Sequence, residues 1–330
     1  MKKPNARIVD RAVPPMFPSS PRHVLNIGLG FIGGIGLGLV CVFGLAFIDD
    51  RVKSTVDVEN SLNINLICLI PKVARKNSFD KARIVQNNME PRAAESFRSL
   101  YSSIRISDVG RHSQVILTTS TLPSEGKSFV ATNLAYTFAS HGERTLLIDG
   151  DLRMPAIAQS LQMEDEVKAH GGGLVGYFEG STSWENMIVN EIAHNLDMLA
   201  SVKNASVPSE IANSSHFIDI INVLRQTYDR IIVDTPPIGV VSDAMALVPA
   251  VDACLYVVKH KGVKMRSIRD SIRRLRDVHM PILGAVMNQV DKVGSGYYHN
   301  YTDKNYHKYY GAYTPQKTQN PKRVSKPKKK

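Results

Sequence analysis

The chain has 330 residues, 43% apolar and 22% charged, which argues against a wholly disordered protein and leaves length for about two domains. Its formal net charge of +11 favours acidic partners, although six of the cations lie within residues 322–330. The three cysteines, Cys41, Cys68 and Cys254, lie in apolar runs without paired or metal-type spacing. This argues against a disulfide framework or a cysteine metal site and predicts reduced thiols.

Residues 1–23 are basic and rich in proline, with Pro14, Pro15, Pro18 and Pro21 close together. Composition alone fits either a disordered tail or a segment that leads into a membrane helix.

An uncharged run follows from Val24 to Ile48, and it is long enough to cross roughly 30 Å of hydrocarbon. A buried core helix is the alternative, but seven glycines would weaken a soluble helix. Gly30, Gly34 and Gly38 recur every four residues, which places small residues on one face that another membrane helix can approach. We therefore predict a transmembrane helix over residues 24–48. Lysine and arginine flank both ends about equally, so they do not set its orientation.

A juxtamembrane segment is predicted over residues 49–90. It contains a short helix near Val56–Leu62, a strand near Leu66–Ile70 and a polar linker over 74–88. A helix is predicted over Pro91–Ile106. Four of its residues fall broadly along one side, which is either a solvated face or a contact surface: Glu95, Arg98, Tyr101 and Arg105.

The stretch Ser120–Ser128, STLPSEGKS, lies between an apolar, β-rich run and a helix-like run. A strand, a tight loop ending in Gly-Lys-Ser and a helix form the context of a phosphate-binding P-loop. Lys127 would reach the β/γ-phosphates of a nucleotide, and the Ser128 hydroxyl would bind Mg²⁺. Thr121 stands at the first position of the motif, where glycine is usual. The predicted nucleotide contacts are Leu122, Pro123, Ser124, Glu125, Gly126, Lys127, Ser128 and Phe129.

Two further apolar runs end in carboxylates: one is followed by Asp149 and Asp151, the other by Asp234. Ligands of parallel α/β sheets bind at the carboxyl ends of the strands. Lys127 and the three carboxylates are therefore predicted to meet at one edge, with Ser128, Asp151 and Asp234 holding Mg²⁺. Spacing alone does not separate Asp149 from Asp151 as a proton acceptor.

Strand-like and helix-like runs alternate through the rest of the chain, after a glycine-rich loop predicted over 167–183 that leads into a short helix. Strands are predicted at Leu196–Ala200, Ala253–Val258 and Ile282–Met287, and helices at Phe217–Tyr228, Asp243–Val248 and Val263–Val278. This alternation predicts an α/β fold with a doubly wound, mostly parallel sheet of P-loop NTPase type, preceded by one transmembrane helix. The last helix is basic, and its arginines form either a solvated face or a contact for acidic lipid or a phosphorylated partner.

The tract from Gly294 to Tyr313 is almost free of aliphatic residues, so it cannot build a core and is predicted to be disordered. Its aromatic side chains, interleaved with Lys304 and Lys308, could stack on single-stranded nucleic acid. The ATP site upstream favours phosphoacceptor tyrosines instead. These are Tyr297, Tyr298, Tyr301, Tyr306, Tyr309, Tyr310 and Tyr313.

The P-loop, the Asp149-x-Asp151-x-Arg153 segment and the Asp234-x-Pro236-Pro237 segment together resemble the bacterial protein-tyrosine kinases that are joined to polysaccharide co-polymerases. The resemblance runs from about Ala6 to Tyr313. It implies autophosphorylation of a C-terminal tyrosine cluster with ATP and Mg²⁺ as cofactors.

The resemblance also implies roles for single residues. It makes Asp149 the group that accepts the tyrosine proton, and it places Arg153 in the catalytic set, where it stabilises charge or pairs with a carboxylate. In related nucleotide-binding folds an Asn after the last strand faces the adenine, which makes Asn288 a candidate. The family's E-x-x-R-x-x-R motif implies ring-like self-association through Glu95, Arg98 and Arg105, but Tyr101 replaces its second arginine.

The family resemblance further implies an organisation and a set of partners. Residues 1–23 would be extracytoplasmic, 91–293 the cytoplasmic kinase domain and 294–330 the tail, in the inner membrane of the cell. The implied partners are the polysaccharide polymerase and export machinery and a phosphotyrosine phosphatase; nucleic acid is not expected.

Two rival functions stay open at this point. A partition-type membrane-switch ATPase would carry a signature lysine just after the first P-loop position, where this chain has Leu122. A co-polymerase scaffold with weak catalysis would explain the departures at Thr121, Ser124 and Tyr101.

Overall fold

The computed structural model describes residues 20, 22–48, 50–74, 77–202, 215–241 and 243–291. The strands are β1 (Leu66–Pro71), β2 (Val115–Ser120), β3 (Thr145–Asp149), β4 (Val189–Ala193), β5 (Leu196–Leu199), β6 (Arg230–Asp234), β7 (Ala253–Lys259) and β8 (Ile282–Val290). They form one sheet in the order β1-β8-β7-β2-β6-β3-β5-β4. Neighbouring strands run parallel except β4, which is antiparallel to β5 at one edge. The predicted doubly wound, mostly parallel sheet is confirmed.

Helices connect these strands and are numbered in chain order. They are α1 (His23–Ile48), α2 (Thr55–Leu62), α3 (Ser78–Ala82), α4 (Ile84–Asn87), α5 (Pro91–Ile106), α6 (Asp108–His112), α7 (Lys127–Ser140), α8 (Ile157–Leu161), α9 (Glu164–Ala169), α10 (Gly173–Phe178), α11 (Ser215–Leu224), α12 (Asp243–Ala246) and α13 (Met265–Asp277). Local signals explain several of the boundaries. Ser54 and Asp57 form a capping box at α2, and Pro91 occupies the first turn of α5.

Two apolar clusters cover the two faces of the sheet. Val115 and Leu117 of β2 pack with Ile268 of α13 on one face, whereas Ile116 packs with Leu100 of α5 on the other. Successive strand residues point to opposite faces, so a strand covered on both sides is apolar throughout. Every residue of β2, β3 and β6 is buried, as this arrangement requires.

The helix α1 belongs to a different unit of the chain from the sheet, and the boundary lies between residues 50 and 51. Its stretch His23–Leu45 has a mean hydropathy of 2.1, and none of it is buried. By length and composition it can cross a membrane, and the helix predicted over residues 24–48 is present.

The polar linker predicted over residues 74–88 is wrong for the described part of that range, because α3 and α4 fold onto α7. Asn133 of α7 donates from Nδ2 to the Lys81 carbonyl at 2.9 Å. Its Oδ1 accepts the Val85 N–H at 3.2 Å, and Ile84 is fully buried. The polar backbone of this segment is ordered by one buried side chain far along the chain, which local composition does not reveal.

The domain boundary predicted at residue 91 also needs correction. The strand β1 pairs with β8 inside the main sheet, and the second compact unit begins at Arg51. Residues 51–90 therefore belong to the nucleotide-binding unit rather than to a separate juxtamembrane segment.

The loop predicted over residues 167–183 contains the end of α9 and all of α10. Val167, Leu174 and Val175 are fully buried, which explains why this glycine-rich stretch is helical in part. The antiparallel β4 was not predicted either, because Val189–Ala193 is too short and too exposed for a clear apolar run. All three cysteines are free, as predicted.

Candidate active site

The P-loop connects β2 to α7 at the carboxyl edge of the sheet. Ser124 and Gly126 adopt the left-handed region, with φ of 64° and 94°. Within the part of the chain that the structure describes, no side chain caps the N-terminus of α7, so its first N–H groups are open to an anionic ligand. The predicted strand, loop and helix are therefore in place, with the geometry that a phosphate group requires.

Two side chains hold the P-loop against the ends of β7 and β8. The Glu125 carboxylate accepts the Leu122 N–H at 2.6 Å through Oε2 and the Lys259 N–H at 3.1 Å through Oε1. Asn288 donates from Nδ2 to the Glu125 carbonyl at 2.9 Å, and its Oδ1 accepts the Gln289 N–H at 2.8 Å. Asn288 thus braces the phosphate loop. The sequence predicted an adenine contact for this residue but did not indicate this bracing role.

The departure at Thr121 is accommodated by a buried hydrogen bond. Its side chain is 1% exposed, and its hydroxyl lies 2.8 Å from the Tyr256 hydroxyl on β7. A buried hydroxyl without such a partner would destabilise the loop. The threonine therefore does not disrupt the motif.

Lys127 lies among the three predicted carboxylates. Its Nζ is 2.9 Å from Asp151 Oδ2, 3.5 Å from Asp234 Oδ2 and 3.4 Å from Ser128 Oγ. Burial alone would lower the pKa of Lys127, but Asp234 and Asp151 outweigh it and raise this pKa above its ordinary value. The structure thus brings the predicted cation and carboxylates together.

Asp149 anchors the loop that follows β3. Its Oδ1 accepts the Asp151 N–H at 3.2 Å, and its Oδ2 accepts the Ala156 and Ile157 N–H groups at 2.9 and 3.0 Å. Asp149 is fully buried, and this burial, together with the charge of Asp234, raises the pKa of its carboxyl group. A raised pKa suits a group that takes up a proton near neutral pH.

The site has an unsatisfied acceptor that fits a cation. Asp234 is fully buried, and its Oδ1 has no hydrogen-bond partner in the described part of the chain. Burial raises the pKa of Asp234, while Lys127 and the Ser128 hydroxyl oppose this shift. Such an orphaned oxygen beside a second carboxylate, Asp151, suits a hard cation such as Mg²⁺.

The same edge does not provide a complete metal cage. No group of three or more His, Cys, Asp or Glu side chains among the described residues could hold a metal ion. A Mg²⁺ ion here would need oxygen ligands from phosphate and water, as is common for nucleotide-bound magnesium.

Arg153 pairs with a carboxylate that the sequence analysis did not identify. Its Nε and Nη2 donate to the two carboxylate oxygens of Asp243 at 2.5 and 3.1 Å. Asp243 begins α12 and is 4% exposed, and the pair ties the loop after β3 to the segment after β6. Of the two roles considered for Arg153, carboxylate pairing is the one seen here.

The charged side of α5 is only partly exposed. Glu95 and Arg98 pair with each other at 2.9 Å on the surface, and Arg105 lies 3.7 Å from Glu143. Tyr101 turns inward, where its hydroxyl donates to Glu143 at 3.3 Å and its ring stacks on His141. Glu95, Arg98 and Arg105 remain a predicted oligomer contact, but Tyr101 is part of the domain's own packing.

Two other groups of predicted residues remain. Phe129, in the first turn of α7, is partly buried, and its ring packs edge-to-face on Phe97 with 5.6 Å between the ring centroids. The seven tail tyrosines lie outside the described residues.

Stability is expected to fall as pH rises from about 4.5 to about 7 in the nucleotide-free protein. Burial raises the pKa of Glu125 from 4.5 to about 7, so the folded state holds a proton that the unfolded state releases. This group alone corresponds to about 3 kcal/mol across the window, and the raised pKa values of Asp149 and Asp234 act with the same sign.

The measurement is the melting temperature of wild type and Glu125→Gln between pH 4.5 and 8. The glutamine side chain should make the melting temperature depend less on pH. It should also lower stability at acid pH, because its single oxygen replaces the two carboxyl oxygens that accept the Leu122 and Lys259 N–H groups. The exposed Glu164→Gln should leave the slope unchanged. A melting temperature that rises over this window would contradict the expectation.

Comparisons with known proteins agree with this geometry. Residues 115–282 match the family described as AAA domain. The putative tyrosine-protein kinase CapB of Staphylococcus aureus is 31% identical over 69% of this chain and 98% of its own length. The succinoglycan biosynthesis transport protein ExoP of Rhizobium meliloti is 26% identical, over 95% of this chain and 43% of its own length.

The crystal structure of the chimerical protein CapA2B2 is similar in fold and sequence. It superposes with a TM-score of 0.64 at 27% identity and covers 72% of this chain and all of that chain. The chain spans about 40% of the length of the longer curated tyrosine-protein kinases that it matches.

Proposed function

This chain belongs to the bacterial tyrosine-protein kinase family, and on that premise we propose that it phosphorylates its own tyrosine tail with ATP. The observation that carries the proposal is the position of Lys127, at the P-loop and within hydrogen-bond distance of Asp151 and Asp234. Phosphoryl transfer depends mainly on positioning and charge stabilisation, which this arrangement can supply.

Each residue of the edge has a proposed role. Lys127 and the P-loop N–H groups within residues 124–129 bind the phosphates, because Pro123 has no N–H and Leu122 donates its own to the Glu125 carboxylate. Bound Mg²⁺ would neutralise phosphate charge, held by the Ser128 hydroxyl and the carboxylates of Asp151 and Asp234. The adenine contact of Asn288 is kept as a proposal, next to the bracing role described above.

Asp149 is proposed to receive the tyrosine proton, supported by its raised pKa. Since this carboxylate is fully buried and holds three backbone N–H groups, the hydroxyl reaches it only if the loop after β3 shifts. Arg153, paired with Asp243, would position that loop.

Incubation of the purified full chain with ATP and Mg²⁺, followed by phosphotyrosine detection and mass spectrometry, tests the proposal. We expect phosphate mainly on the seven tail tyrosines, and a variant with all seven replaced by Phe should retain ATP hydrolysis. ATP hydrolysis without phosphotyrosine would favour the partition-type ATPase. The absence of both would favour the scaffold.

The wider setting is also a proposal. The similarity to the succinoglycan biosynthesis transport protein ExoP and to the CapA2B2 chimera supports a role in polysaccharide biosynthesis and export, with a co-polymerase partner. Self-association through α5 and reversal by a phosphotyrosine phosphatase complete the proposed system. Nucleic acid has no place in it.

The helix α1 is proposed to anchor the chain in the inner membrane with the nucleotide-binding unit in the cytoplasm. We expect the full chain to stay in the membrane pellet after alkaline carbonate extraction, because His23–Leu45 has a mean hydropathy of 2.1 and enough length to span a bilayer. A peripheral protein from the same cells serves as the control. Release of the full chain into the supernatant would contradict the anchor.

A further inference from the structure

The helix α13 presents a strongly cationic surface. Residues 261–277 contain seven Lys and Arg side chains against two Asp side chains. Arg266, Arg269 and Arg273 are exposed, and no described residue forms a hydrogen bond or ion pair with their side chains. Three arginines left unpaired in this way can contact an anionic surface.

The opposite side of α13 is committed to the core. Ile268, Ile272 and Leu275 are at most 1% exposed and pack against the sheet. The helix therefore cannot insert an apolar face into a bilayer, and any lipid contact is electrostatic and at the level of the headgroups.

The start of α13 is held against residues 51 and 52, which follow the apolar helix closely in sequence. Val52 donates its N–H to the Val263 carbonyl at 3.4 Å, and its carbonyl accepts the Lys261 N–H at 2.8 Å. The backbones of Arg51 and Lys264 form an isolated antiparallel β-bridge. Arg51 follows Ile48 by three residues, which span at most about 11 Å when extended. If α1 crosses a membrane, the first turn of α13 therefore lies within reach of the headgroup layer.

We propose that the exposed face of α13 binds anionic lipid headgroups of the membrane that α1 crosses. The inference rests on the proposed anchoring of α1. Charge complementarity selects an anionic leaflet, and the segment at 51–53 keeps this face close to it. Asp57 and Glu59 on the neighbouring α2 oppose the attraction, but the Asp57 carboxylate already accepts the Lys53 and Ser54 N–H groups.

The test uses the full chain in liposomes of phosphatidylcholine, with or without about one third phosphatidylglycerol. The ionic strength is about 0.1 M, where the Debye length is about 10 Å. Ser267→Cys on the exposed side of α13 carries a fluorophore in a Cys41→Ser background, because the other two cysteines are buried. Headgroup-spin-labelled lipid should quench the fluorophore only in the anionic liposomes, and high salt should relieve the quenching.

Arg266→Gln/Arg269→Gln/Arg273→Gln should remove most of this quenching. Each charge near an anionic surface is worth roughly fivefold in binding, so the three together amount to about a hundredfold. The matched control is Arg92→Gln/Arg111→Gln/Arg144→Gln, which removes the same number of charges from exposed positions elsewhere in the fold. The control should keep the quenching.

Flotation of the liposomes separates the two proposals. If the chain does not float with the lipid, the anchor fails and this inference falls with it. If the chain floats but the fluorophore is unquenched, or is quenched equally in neutral lipid, the anchor stands and the lipid face is overturned. A change in the fluorescence of the label that requires ATP and not anionic lipid would assign this face of α13 to phosphotyrosine binding. That result would also overturn the proposed lipid contact.

Discussion

Replacing Lys127 with Met is expected to lower autophosphorylation by at least about a hundredfold. The side chain provides the cation at the phosphate-binding edge, where single electrostatic groups are worth on the order of 3–4 kcal/mol of transition-state stabilisation. Phosphotyrosine formed per minute by the purified chain is the measurement. Lys168→Met is the control, because Lys168 lies at the surface, where it pairs with the exposed Asp165.

The same substitution should also destabilise the nucleotide-free protein. Removing one partner of a buried ion pair costs about 3–5 kcal/mol, and here it leaves Asp151 and Asp234 without their cation. The loss should be greater at pH 8 than at pH 5, since burial raises the pKa of Asp234 and its protonation at lower pH removes part of the uncompensated negative charge. Lys127→Arg keeps the charge and should recover stability better than activity. Near-normal phosphotyrosine in the folded Met variant would refute the assignment of this P-loop.

Replacing Gly126 with Ala is expected to weaken ATP binding at least about tenfold and to reduce phosphorylation further. A Cβ atom at this position would overlap the side-chain amide of Asn288, and φ is 94°. The alanine must therefore displace either the loop or the amide that braces the Glu125 carbonyl, which disturbs the N–H groups that bind phosphate. Nucleotide affinity measured by calorimetry gives the size of the effect.

Two further variants separate overlap from backbone strain. Gly142 has a similar φ of 89° with nothing near its added Cβ, so Gly142→Ala measures strain alone, about 1–2 kcal/mol. Adding Asn288→Ala to Gly126→Ala removes the overlap and should restore part of the affinity. Normal ATP binding by the Gly126→Ala protein would show that the brace is not needed.

Sequence alone located the candidate site because its signals are local. The P-loop is nine consecutive residues, and Asp149, Asp151 and Asp234 each end or follow an apolar strand. Parallel topology then forces strand ends to one edge, so the convergence of Lys127 with these carboxylates could be predicted without coordinates. The long uncharged run of α1 was equally readable, since length and composition suffice.

Tertiary structure decided every feature that joins residues far apart in the chain. Arg153 donates hydrogen bonds to Asp243, which lies 90 residues later in the chain. Asn288 donates to the Glu125 carbonyl from 163 residues further along the chain. Tyr101 turns from the predicted contact surface toward Glu143 because a ring-stacking partner lies there. Side-chain pairing of this kind depends on how helices pack on the sheet, and periodicity within one segment contains no information about it. For the same reason the buried amide of Asn133 ordered α3 and α4, where composition indicated only a linker.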